Sequence, residues 1–161
     1  DIRSFLPDGT PFRKASNLQR ALIAAHGAKP EDVGIAFGAG SASIAHVLGP
    51  KVWAEYGVGR KVAGAAKTPE EAASLRNDPA KWARIGGEGV AAMRAAGIRV
   101  LACRNTMSHW AQALAAETGE SAEAVIAKLN AGLHPGVEPV PAMIAAAVLA
   151  QGRQLSYVAI G

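Results

Sequence analysis

The sequence predicts an α/β fold: a single three-layer domain over residues 1–161, with an about five-stranded, mainly parallel sheet and helices on both faces. Short apolar runs of buried-strand type alternate with helix-like segments along the chain, the order that produces a parallel sheet. With 161 residues, 50% hydrophobic and 19% charged, the chain suits one domain with a substantial core. Alanine and glycine are abundant and aromatics make up only 5%, so thin, closely packed helices are expected against the sheet. No internal repeat or low-complexity tract breaks the pattern.

Taken in order, residues 1–15 read as a remnant of a first strand, "DIRSF", followed by the turn-rich connection "LPDGTPF". "SNLQRALIAAHG" reads as a helix, with a capping box from Ser16 and Gln19 and a stop at Gly27. Val33 to Gly38 is a short apolar run of strand type. The Gly/Ser turn after it leads into one or two short helices, the second opened by Pro50. Thr68-Pro69-Glu70-Glu71 is a helix start, with Thr68 as cap, proline at N1 and glutamate at N3. Asp78-Pro79 starts the next helix, which runs to Gly97; Gly86, Gly87 and Gly89 weaken it unless they permit close packing.

"IRVLAC" is the clearest strand. In the segment after it, Met107, Trp110, Ala111 and Leu114 recur at i, i+3, i+4 and i+7, one apolar helix face. Ser121 caps a further helix. "GVEPV" is a short strand that Pro139 confines to an edge or to brief pairing. "PAMIAAAVLAQG" reads as a helix with Pro141 at N1, and "LSYVAIG" as the last strand.

Composition removes several function classes. The net charge is +4, but the basic residues are scattered and do not interleave with aromatics, so no nucleic-acid partner is expected. Nothing approaches the ~20 apolar residues of a membrane span. A lone cysteine makes no internal disulfide, and no Cys/His spacing resembles a zinc site, so no metal or cofactor is expected. The "GAGSAS" loop lacks the Walker ending, fails the GxGxxG spacing at Ser43 and contains no GxSxG elbow, which argues against nucleotide binding and against a serine hydrolase.

In an open parallel sheet, ligands bind outside the carboxyl ends of the strands. Three segments leave strand ends there, Gly38 to Ser43, Cys103 to Thr106 and Val140 to Ala142, and they are expected to share one crevice. Cys103 lies just before a helix, where unpaired N–H groups and the helix dipole favour a thiolate. The alternative is an inert core cysteine, a common place for this residue. Arg104 adds charge if its side chain turns back, Asn105 and Thr106 offer hydrogen bonds, and His109 is the best candidate for a nearby base, its alternative being an exposed helix residue opposite the Trp110 face. Gly40, Ser41 and Ser43 suit an anion held on backbone N–H groups, and Pro141 lines the third segment. His46 is a weaker candidate. His26 and His134 fall at the opposite end, and Trp53 and Tyr56 read as packing residues.

Three stretches in order, "GPKVWAEYGVG", "GIRVLACRNTM" and "GLHPGVEPVPAMIAAAVLAQGRQLSYVAIG", resemble the DsrE/DsrF-like (YchN-like) family of small α/β proteins. With the element order, the resemblance covers the chain from about Ala15 onward. It implies a five-stranded parallel sheet between helices and assembly into trimers or hexamers. In sulfur-handling members it implies a persulfide on the cysteine matching Cys103. The "W..YG" segment is most similar to the exported, twin-arginine branch, which implies a periplasmic location, with a cytoplasmic one as alternative. The chain starts at Asp1, so any signal would lie upstream.

The sequence departs from the family pattern in three places. Glycine and serine occupy the loop where relatives often carry a histidine, Pro139 interrupts a usually apolar strand, and no second cysteine resolves a persulfide within the chain. Two functions are therefore expected. One is a sulfur relay on Cys103, served by a thiol partner protein or a small sulfur donor. The other is a non-catalytic oligomer that binds a small ligand or anion, with Cys103 lining the crevice.

Overall fold

Three parallel strands build the sheet, β1 (Ala36–Ala39), β2 (Arg99–Cys103) and β3 (Val137–Val140), in the order β1-β2-β3. The computed structural model describes residues 9–29 and 32–153; the strands read from "DIRSF" and "LSYVAIG" lie outside them. The register sets Phe37 opposite Val100, Val100 opposite Val137, and Cys103 opposite Val140. Among the described residues β3 pairs only with β2, and Pro139, opposite Ala102, sits on an edge strand as its missing N–H requires.

The first helix, α1 (Thr10–His26), starts earlier than its sequence suggests. Gly9 adopts a left-handed conformation (φ 69°) that turns the chain into the helix, and Pro11 fits the first turn. Winding this segment brings Phe12 into the core, stacked on Phe37 with ring centroids 5.5 Å apart. Ser16 and Gln19 consequently lie inside the helix and form no capping box. Gln19 is instead buried, and its Nε2 donates to the Ala96 carbonyl at 2.7 Å.

A 3-10 turn (Ser41–Val47) follows β1, then α2 (Pro50–Glu55), α3 (Val58–Val62), α4 (Pro69–Asn77) and α5 (Pro79–Ala95). Thr68 Oγ1 accepts from the Glu71 amide at 3.2 Å and Asp78 Oδ1 from the Lys81 amide at 3.1 Å, so both expected caps form. The α5 glycines serve close approach: a β-carbon at Gly86 would lie 2.4 Å from the His46 carbonyl oxygen, and one at Gly89 would lie 2.2 Å from the Phe12 ring. After β2 come α6 (Arg104–Thr118) and α7 (Ala122–Ala131), the latter capped by Ser121, whose Oγ accepts from the Ala124 amide at 3.1 Å.

The last described helix, α8 (Met143–Gly152), begins two residues after Pro141 rather than at it. Ala142 is its extended N-cap, and the Pro141 carbonyl accepts from the Asn105 amide at 3.2 Å, a tertiary bond that draws Pro141 toward the start of α6.

Strand side chains alternate between faces. Phe37, Ala39, Val100 and Ala102 join the main core, where Val90 and Met93 of α5, Met107, Ala111 and Leu114 of α6, and Val125 and Leu129 of α7 pack together. The opposite face carries Gly38, Leu101, Cys103 and Val140. Met143 of α8 lies over it, with its Sδ 2.4 Å from where a β-carbon of Gly38 would be. No residue of α8 is buried, and Ile144, Val148 and Leu149 are 74%, 61% and 69% exposed. No helix among the described residues is long and apolar enough to cross a membrane.

Candidate functional site

The three expected strand-end segments do meet at the carboxyl edge of the sheet. The Ser41 amide donates to Thr106 Oγ1 at 3.0 Å, tying the segment after β1 to α6. The bond from the Asn105 amide to Pro141 ties α6 to the segment after β3. Cys103 stands between them, as the last residue of β2 and the N-cap of α6. Its side chain makes no cap hydrogen bond as a thiol, and the residue is 6% exposed.

Two effects compete at this sulfur. Burial pushes the thiol pKa up; the Thr106 hydroxyl and the amides of Thr106, Met143 and Asn105 pull it down and prevail, so the net shift is downward from 9.0. Asn105 and Thr106 belong to the first turn of α6, and Met143 is the first residue of α8. Two helix N-termini therefore meet at one sulfur, where unpaired N–H groups favour an anion. Thr106 is oriented for this role: its oxygen already accepts from Ser41, which leaves its own hydrogen for Cys103.

The other sequence candidates separate clearly. Arg104 is exposed and is not among the groups that shift Cys103. Ser43 is fully buried, and its hydroxyl closes the turn by accepting from the Gly40 amide at 3.0 Å and donating to the Gly40 carbonyl at 2.6 Å. With the Ser41 amide on Thr106 and the Ser43 amide on the Gly40 carbonyl at 3.1 Å, the loop spends these N–H groups internally rather than holding them toward an anion. His46 is buried edge-on against Phe12, centroids 5.2 Å apart, away from the crevice. Burial lowers the pKa of His134, which packs over Gly86 and Gly87 at the far end.

His109 and Ser41 do reach a shared space. A cleft of about 570 Å³ opens between the Ser41–Val47 turn and α6, with Ser41, Lys61, Thr106 and His109 along it and Trp110 and Leu114 as its wall. Ser41 is the one non-glycine residue with positive φ (52°) among the described residues, a strained geometry set at the cleft mouth. Lys61 comes from α3, pairs with Glu117 across to α6, and was not among the sequence candidates. Nothing local marks it; only the tertiary docking of α3 brings it there. Among the described residues no cluster of His, Cys, Asp and Glu could hold a metal ion.

These features define a class: a mixed α/β protein whose parallel sheet carries a lone cysteine at its carboxyl edge. The chain matches no protein-family model, no curated protein and no solved structure.

Proposed function

We propose that this protein is a sulfur carrier that holds sulfane sulfur as a persulfide on Cys103. The observation that carries the reading is the meeting of two helix N-termini and the Thr106 hydroxyl at one sulfur, which lowers its pKa despite burial. The thiolate attacks the outer sulfur of a donor R–S–SH. A new S–S bond forms to Cys103, the donor S–S bond breaks, and R–S⁻ leaves with the electron pair while the proton stays on the transferred sulfur. An acceptor thiolate then attacks that outer sulfur, and Cys103 departs as the thiolate that the same donors stabilise. No oxidant is consumed, because one sulfur atom moves between thiols.

The resemblance to the DsrE/DsrF-like family supports the same reading and extends it to a five-stranded sheet, a periplasmic location and a trimeric or hexameric assembly. The test is mass spectrometry after incubation with a small organic persulfide. Wild type gains one sulfur atom and Cys103→Ser gains none; no gain on wild type, or an equal gain on the variant, refutes the reading. The 6% exposure of Cys103 favours a second reading, a ligand-binding oligomer in which the thiol only lines the crevice. That reading is supported by a thiol inert to persulfide in a protein that still binds a small ligand.

A further inference from the structure

We propose that the cleft between the Ser41–Val47 turn and α6 binds a small amphipathic anion, a flat apolar group carrying one sulfonate or carboxylate, whether or not Cys103 carries sulfur. At about 570 Å³ the cleft lies within the range of small-molecule sites. Its lining is mixed. Trp110 and Leu114 form an apolar wall, and Ala42 and Ala113 are small enough to leave the space open for a ring beside the indole. Ser41, Thr106 and His109 supply polar groups beside the first turns of α6, Lys61 reaches the last turn where it pairs with Glu117, and no acidic side chain is among the lining residues.

Lys61 supplies the charge. Its present partner, Glu117, lies outside the cleft lining and is 54% exposed, so the pair is of the solvent-screened kind. Exchanging that carboxylate for a ligand oxyanion held against an apolar wall costs little. A neutral ligand gains the wall alone, and an inorganic anion gains Lys61 alone; an amphipathic anion gains both.

Isothermal titration with naphthalene-2-sulfonate tests the site, with neutral naphthalene-2-methanol as comparison. The sulfonate is expected to bind at least about fivefold more tightly than the alcohol, and Lys61→Met to remove that advantage. Ala113→Phe, a change at an exposed position of α6, fills the cleft and abolishes binding while circular dichroism shows an unchanged fold. Ile144→Ser on the exposed apolar helix α8 leaves binding intact. Equal binding of the two compounds, binding untouched by Ala113→Phe, or loss of binding in Ile144→Ser each overturns the proposal. So does the absence of any heat up to about 10 mM ligand, a concentration weaker than any specific site of this size needs. The persulfide test on Cys103 is independent of these outcomes, so either proposal can fail alone.

Discussion

At Cys103, desolvation and hydrogen-bond donors oppose each other, and the Thr106 hydroxyl is the largest of the groups that lower the pKa. Thr106→Val removes the hydroxyl and leaves the Ser41 amide without its acceptor. Alkylation of Cys103 at pH 7 is expected to slow roughly three- to tenfold, while Thr106→Ser retains the wild-type rate. The lowered pKa also links to stability. Between the native pKa and 9.0 the unfolded chain binds the proton that the native thiolate has lost, so stability rises with pH across that window. The contribution is complete above 9.0 and is lost as pH falls through the native value. Urea midpoints of wild type minus those of Cys103→Ser, measured over a pH series, should show that rise; a flat difference contradicts the assignment. The position of Cys103 was legible because a strand-like run ends on it and a 3.6-residue period begins after it. The internal use of Ser43 was not legible, since a hydroxyl that closes its own turn reads in sequence like one that faces a ligand.

Elements show the same division between local and tertiary causes. The starts at Thr68 and Asp78 followed from cap chemistry alone, and both caps form. Thr68→Ala is expected to cost about 1 kcal/mol in urea unfolding. The start of α1 was missed although Thr10-Pro11 repeats the threonine-proline signal of Thr68-Pro69; the surrounding "LPDG" reads as a turn, and only the burial of Phe12 against Phe37 decides for helix. The start of α8 was misplaced because the Pro141 carbonyl engages the Asn105 amide, a partner thirty-six residues away that no local rule supplies. In α5 the glycines that sequence marks as weak points are where the His46 backbone and the Phe12 ring come closest. Gly86→Ala is therefore expected to destabilise by about 1–3 kcal/mol, despite the better helix propensity of alanine. Gly64→Ala, with nothing within 4 Å of the added carbon, should be neutral or stabilise by up to about 1 kcal/mol. Equal unfolding midpoints for the two variants would contradict this account of α5.

For the whole molecule, the parallel α/β class was legible from the alternation of runs, and the three described strands carry it. The juxtaposition of Lys61, Ser41 and Thr106 was not, because it arises from the docking of α3 and the 3-10 turn against α6. The exposed apolar stripe of Ile144, Val148 and Leu149 is the face that the proposed assembly would bury, since patches of this kind mark interaction surfaces. Light scattering should return a mass several times the 16.5 kDa chain, and Ile144→Lys with Val148→Lys should return the single chain. An assembly unaffected by both changes would place the interface elsewhere. The central claim is that two helix starts lower the pKa of the Cys103 thiol despite its burial, and one titration tests it most directly. As the chain has a single cysteine, the rate of iodoacetamide alkylation against pH reports Cys103 alone. The account predicts a midpoint below 9.0 in the folded protein that rises toward the ordinary value in urea. A folded-state midpoint at or above 9.0 would contradict it.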